Sequence, residues 1–321
     1  MDRSDSTSSH HAADRALVSV VVPVYNRPTL VQEAIRSVLE QTEPRFEIVV
    51  VDDGSTDGTA DVVEAHFGHD PRLRVVRQPN GGTAAARNRG IDEARAPWIA
   101  FLDDDDVWLP GYLEGQLRVA AENPDASAVL CDARFEGSWE RKAPTVFSRR
   151  SWKTPDSLEA MLDGAWGLPS SLMIRTDVAQ ALHFSREYRV SEDTEFLFRF
   201  HIAGHRLVEN PAVLSTWRKH DGAGGADTKQ KTSDDTAVAL DHLHILERYA
   251  SYARKPKSVL RQIARRRALL HVRAGRWRSA RPHLWAWWRR RPSSTRAFRY
   301  LLTSLVRGDA KTPGAADGAS R

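Results

Sequence analysis

One cysteine, Cys131, occurs in 321 residues, so an internal disulfide and any cysteine-built zinc cluster are excluded. No apolar run approaches the roughly 18 residues that a bilayer span needs. The first sixteen residues, MDRSDSTSSHHAADRA, lack the apolar centre of a signal peptide and read as a disordered leader. Neither GxGxxG nor a Walker loop is present, which removes the usual dinucleotide and P-loop readings. These absences leave a soluble cytoplasmic protein as the expectation. Acid is also missing from one long stretch. Arg254 to Arg307 holds 17 Lys or Arg and no Asp or Glu, so the overall charge of +5 leaves −12 for the remainder. An acidic body with a basic tail implies two jobs in one chain.

Hydrophobic residues, at 41%, suffice for a sizeable core. LVSVVVPVY (17–25), FEIVVVDD (46–53), PWIAFLDD (97–104) and the shorter LRVVRQ (73–78) are β-rich runs suited to strands buried on both faces. Helical patterns at 29–40, 59–67 and 83–94 lie between them, a further helix is expected near 111–122, and a fifth strand near 126–133. This alternation predicts an α/β doubly wound sheet. Ligands of such sheets sit beyond the carboxyl ends of the strands. Those ends read PVYNR, DDGSTDGT, NGGTAAARNRG and DDDD, all polar, acidic or glycine-rich. After about residue 134 the pattern is irregular: SEDTEFLFRFHIAG (191–204) reads as a helix capped by Ser191, and AVLSTWRKH (212–220) as a strand ending at a histidine.

The run FLDDDDVWLP (101–110) sets four carboxylates between apolar neighbours. Adjacent ionised carboxylates repel, and partial burial makes this worse. A divalent cation relieves both costs, and oxygen-only ligation suits magnesium or manganese shared with a substrate phosphate. Asp103 and Asp105 would point together if the strand reached them. The bland alternative is a solvated acidic loop that caps the next helix.

VSVVVPVYNR, VVVDDGSTDGT, NGGTAAARNRG and FLDDDDVWLPGYL, in this order and spacing, resemble the nucleotide-sugar domain of family 2 glycosyltransferases, of GT-A fold, over about residues 17 to 220. The resemblance implies that Pro23 and Tyr25 border the nucleotide and that Asp53 accepts a hydrogen bond from the base, with Asp52 beside it or capping the loop. Gly81, Gly82, Arg87 and Asn88 would lie near the sugar diphosphate. In the family's Asp-x-Asp-Asp pattern Asp105 would contact the metal, Mg2+ or Mn2+. Asp103 would take the ribose or a metal-bound water, Asp104 the variable position, and Asp106 a helix-capping or supporting place. His220, in TWRKH, resembles a family histidine that approaches the metal or diphosphate. Asp193 matches the catalytic base, with Glu192 in support, against the plainer reading that Ser191, Glu192 and Asp193 only cap a helix. Ser170 and Ser171, in GLPSSLMIR, would lie on the acceptor side near the donor sugar.

The implied activity is inverting, metal-dependent sugar transfer from a nucleotide-diphospho-sugar, UDP-linked by preference, to a glycan or lipid-linked acceptor in cell-surface polysaccharide or glycolipid synthesis. The Gln-x-x-Arg-Trp element and membrane helices of processive synthases are absent, which favours single addition. The competing readings are a sugar-phosphate nucleotidyltransferase and a non-catalytic glycan- or membrane-binding protein. The expected organisation is a leader (1–16), the GT-A domain (17–220), a mobile loop (221–235), a basic C-terminal helical region (236–307) and a disordered tail (308–321). The basic region mixes arginine with four tryptophans between 265 and 306. It would pack on the catalytic domain, lie on an anionic membrane at the inner face, or bind nucleic acid, the last disfavoured.

Overall fold

The computed structural model describes residues 15–137, 143–149, 152–188, 190–219 and 235–307. Most of the expected leader, His220, most of the expected mobile loop and the expected tail lie outside these residues.

The β-branched run near the start forms β1 (Val18–Val24), buried at all seven positions. β2 (Phe46–Asp52) pairs parallel to it on one side, with β3 (Leu73–Arg77) parallel to β2 beyond, and β4 (Trp98–Phe101) pairs parallel to β1 on the other side. Three helices connect them: α1 (Leu30–Leu39), α2 (Thr59–Phe67) and α3 (Thr83–Glu93). Helix α3 approaches β1 so closely that a Cβ on Gly90 would stand 2.2 Å from Val21 Cγ1. That glycine is a packing requirement of the NRG sequence.

The sheet has eight strands in the order β3-β2-β1-β4-β7-β6-β8-β5. The chain builds outward from β1 through β2 to β3, then crosses back to place β4 on the other side of β1. This reversal opens a crevice at the carboxyl ends of β1, β2 and β4. The other half is mixed. β7 (Leu172–Arg175) runs antiparallel to both β4 and β6 (Ala128–Gly137), β8 (Leu207–Lys219) runs parallel to β6, and the two-residue β5 (Val107–Trp108) runs antiparallel to β8. Helices α4 (Tyr112–Glu122), α5 (Leu158–Leu162), α6 (Thr176–Leu182) and α7 (Glu192–Ile202) complete this unit.

One expectation is corrected here. The strand predicted over 97–104 stops at Phe101, so Asp103 and Asp105 do not share a strand face. Leu102 N makes a last bond to Val21 O, at 3.0 Å, and the chain then turns, with Asp106 N donating to Asp103 O at 3.1 Å. A turn spreads four like charges that a continuing strand would hold in two parallel rows.

The chain divides into two compact units near residue 234. The second comprises α8 (Asp235–Tyr249), α9 (Pro256–Arg273), α10 (Trp277–Arg290) and α11 (Thr295–Val306). Its core is small and alanine-rich: Ala264, Ala268, Ala280, Leu284, Trp287 and Ala297. Ser294 caps α11 through its hydroxyl, which accepts from Ala297 N at 3.3 Å. Among the described residues no helix is long and apolar enough to cross a membrane.

Candidate functional site

The crevice is assembled from loops that follow β1, β2 and β4. After β1, Asn26 adopts a left-handed φ of 52°, a conformation asparagine tolerates better than most residues. Its backbone N–H donates to Ser55 Oγ at 2.9 Å and its side-chain oxygen accepts from Thr56 N at 2.8 Å, tying the β1 end to the β2 end. Pro23 is buried within β1, whereas Tyr25 stands 46% exposed at the rim.

Asp53 has both oxygens engaged. Oδ1 accepts from Gly81 N at 2.9 Å and Gln78 Nε2 at 2.7 Å, and Oδ2 accepts from Gly82 N at 2.8 Å. Asp53 therefore shapes the Gly81–Gly82 turn. Asp52 Oδ2 accepts from Ser55 N at 3.3 Å, while the buried Oδ1 has no hydrogen-bond partner among the described residues. Gly54 is required at its position, with φ at 77° and a Cβ that would lie 2.7 Å from Asn80 N.

The four aspartates have unequal surroundings. Arg27 Nη1 donates to Asp104 Oδ1 at 2.7 Å and to Asp105 Oδ2 at 2.9 Å. Burial pulls the Arg27 guanidinium down, but Asp104 and Asp105 outweigh it and hold it above its ordinary value. Burial, with Asp105 and Asp103 nearby, pushes Asp104 up to about 8 despite Arg27. Burial and the same two neighbours push Asp106 well above the carboxylate range. Asp106 does not cap a helix: its oxygens accept from Ser170 Oγ at 2.6 Å and Arg218 N at 3.0 Å, and the N-cap position of α4 is Gly111. Ser170 Oγ also accepts from Asp103 N at 3.1 Å, so this hydroxyl braces both ends of the acidic loop. Ser171 is buried, with its hydroxyl against the Cys131 thiol.

Arg87, on α3, is sealed from solvent. Nη2 donates to Asp103 Oδ1 at 2.6 Å and Nη1 to Glu192 Oε1 at 3.2 Å. The guanidinium lies over the Phe184 ring, 5.4 Å from its centre. Asn88 fixes Phe184 in turn, donating to its carbonyl at 2.9 Å and accepting from its N–H at 2.7 Å. The Asn88 amide is thus committed within the protein. On the other side of Arg87, α7 begins at Glu192; Ser191 occupies its N-cap position without a side-chain capping bond. Asp193 is half-buried, and its Oδ1 accepts from Thr194 N at 2.6 Å. Burial and Glu192 push the Asp193 carboxyl up to about 7, with Arg87 opposing.

The structure therefore joins Arg87, Asp103 and Glu192 in one network, with Asp193 within electrostatic reach, and Asp104 and Asp105 in another through Arg27. Two of these contacts carry no signal in the sequence. Arg27 is two positions beyond Tyr25, and only the fold brings it to residues 104 and 105. Ser170's brace on Asp106 likewise depends on the pairing of β4 with β7. The donor set also bears on a metal. Among the described residues no group of three or more His, Cys, Asp or Glu could hold an ion alone. Crowded carboxylates with one shared arginine fit a cation whose shell is completed by substrate phosphate and water, not a closed protein cage.

An α/β sheet with this crevice and acidic loop has the architecture of the GT-A nucleotide-sugar transferases. The family model for Glycosyl transferase family 2 matches residues 19–179. EpsH of Bacillus subtilis, named as a glycosyltransferase, is 33% identical over 213 residues, 63% of this chain and 61% of its own. TuaG of the same organism, named for teichuronic acid biosynthesis, is 41% identical over 109 residues, 34% of this chain and 43% of its own. The matches thus span less than two thirds of these two relatives. Among solved structures, Staphylococcus aureus TarS 1–349 with UDP-GlcNAc superposes with a TM-score of 0.58 at 20% identity, over 94% of this chain and 95% of that one. The mannosyltransferase PcManGT of Pyrobaculum calidifontis, with GDP-Man and Mn2+, gives 0.58 at 21% identity, over 91% and 80%. The chain belongs to glycosyltransferase family 2.

Proposed function

We propose that the chain transfers a sugar from a nucleotide-diphospho-sugar to an acceptor hydroxyl with inversion, Asp193 acting as base. The observation that carries this is the carboxyl of Asp193, half-buried and pushed up to about 7, set beside the Arg87 bridge to the acidic loop. A base whose pKa is near neutrality can both accept and release the acceptor's proton. Inversion follows from one direct displacement, in which the acceptor oxygen attacks the anomeric carbon as the diphosphate leaves from the opposite side. Asp52 Oδ1, lacking a partner, suits an imide N–H such as uracil's, and Tyr25 gives the ring an exposed wall. In this reading base recognition falls to Asp52, because Asp53 is occupied with the glycine turn. Asp103 and Asp105 would hold Mg2+ or Mn2+, which when bound neutralises the departing diphosphate. Arg87 keeps Asp103 and Glu192 in register, and Arg27 holds Asp105 within reach.

A UDP-sugar is the preferred donor, since the superposable TarS structure holds UDP-GlcNAc, although PcManGT holds GDP-Man. TuaG's name supports a role in cell-surface polysaccharide synthesis. A glycan or lipid-linked acceptor and a place at the inner membrane face complete the reading. The test is a thermal-shift screen of UDP- and GDP-sugars with and without Mn2+, followed by product detection. Stabilisation by a nucleotide sugar with manganese is expected. Full transfer by both Asp105→Asn and Asp193→Asn would overturn the proposal.

A further inference from the structure

Helix α11 has two apolar faces, and the fold uses one. Ala297 and Ser304 are fully buried and Leu301 packs with them against α10. The face about a quarter-turn or more away is in solvent: Phe298 is 46% exposed, Leu302 48%, Leu305 62% and Val306 88%. Their spacing of three and four residues makes a single stripe. It continues onto α10, where the Trp288 ring lies 6.0 Å from Phe298 and 5.3 Å from Trp285, itself 50% exposed. Exposed arginines border the stripe: Arg289, one turn beyond Trp285, with Arg296 and Arg299 on α11. No acidic side chain occurs anywhere from Arg254 to Arg307.

We propose that this α10–α11 face docks in the plane of an anionic membrane, with Trp285, Phe298, Leu302 and Leu305 entering the headgroup–acyl boundary and Arg289, Arg296 and Arg299 on lipid phosphates. Exposed aliphatic side chains gain by leaving water for the acyl boundary, whereas they offer nothing to a nucleic-acid backbone. Two copies of this face would bring cationic rims together, which disfavours self-association through it. Tryptophan beside arginine suits the headgroup level, where an amphipathic ring keeps one end wet. The proposal deepens the lipid-linked acceptor of the proposed function, and brings such an acceptor to the enzyme by confining both to one surface.

The test sediments the full chain with vesicles of phosphatidylcholine alone or mixed with phosphatidylglycerol, at low and high salt, and follows tryptophan emission. Pelleting with the anionic vesicles at low salt, with a blue shift, is expected. Leu302→Ser with Leu305→Ser, both exposed positions, should keep the helical circular dichroism yet lower the partition coefficient about tenfold or more. Arg289→Gln with Arg299→Gln should flatten the salt dependence. Three outcomes overturn docking: no pelleting, equal pelleting on neutral vesicles, or variants that bind as the parent does. Tighter retention on single-stranded oligonucleotide than on vesicles, or a dimer that the leucine variants abolish, would assign the face to another partner. Nucleotide-sugar thermal shifts on the same samples separate the two ideas. An intact shift without pelleting sinks docking alone, and pelleting without any shift sinks the transferase reading alone.

Discussion

Arg87 stands between two carboxylates with its guanidinium sealed from solvent, and its removal would take from the buried Glu192 the guanidinium it bonds. Arg87→Met is therefore expected to destabilise the fold by about 3–5 kcal/mol, measured by urea unfolding. Asp193 acts differently. Asp193→Asn should cost roughly a hundredfold or more in turnover while leaving the donor-induced thermal shift in place. The pH profile has a definite sign. The folded Asp193 carboxyl is raised to about 7, so below that it keeps its proton and cannot serve as base. Transfer should rise as pH increases through about 7, and the rising limb should vanish in Asp193→Asn. A flat profile across this range would count against the assignment. Sequence reasoning reached Arg87, Asp103, Glu192 and Asp193 individually through motif positions. It could not show that Arg87 bonds both Asp103 and Glu192, because 105 positions separate Arg87 from Glu192. Arg27 lay wholly beyond it, since an arginine after a strand carries no mark of the carboxylates it will meet.

At the scale of elements, the parallel half was legible because its strands are apolar on both faces and its helices alternate with them. β1, β2, β3 and the helices between them lie within a residue or two of where periodicity puts them. The acidic run was legible as a site and not as a shape. The continuous apolar text of PWIAFL gives no sign of where pairing stops, and backbone bonding to β1 ends at Leu102. The antiparallel pairing of β7 between β4 and β6 was similarly hidden, because four residues of strand specify no partner. Gly90 shows how an element can be tested. A methyl there would overlap Val21, so Gly90→Ala should push α3 off β1 at a cost of about 1–3 kcal/mol, read from the urea midpoint. An unchanged midpoint would mean that α3 shifts freely. That would also weaken the claim that it fixes Arg87.

The whole molecule divides its charge between two units, and each answers acid in its own way. In the second unit burial first, and Arg266 second, drive His242 down to about 3. A histidine whose folded pKa is depressed gives full stability above its unfolded value and loses it as pH falls. Acidification from neutrality to pH ~5 should then remove on the order of 1–2 kcal/mol through this group, seen as a falling melting midpoint whose slope His242→Leu would lessen. The Arg87 clasp has another consequence, in time. Its two carboxylate partners arrive with β4 and with α7, so the charge balance of the crevice closes only when both halves of the sheet are present. β1 to β3, joined by near neighbours in sequence, can assemble first; a contact spanning 105 residues pays its loop-closure entropy last. This edge of the crevice would thus be among the final parts to form, and a ligand bridging it would slow unfolding more than it speeds folding.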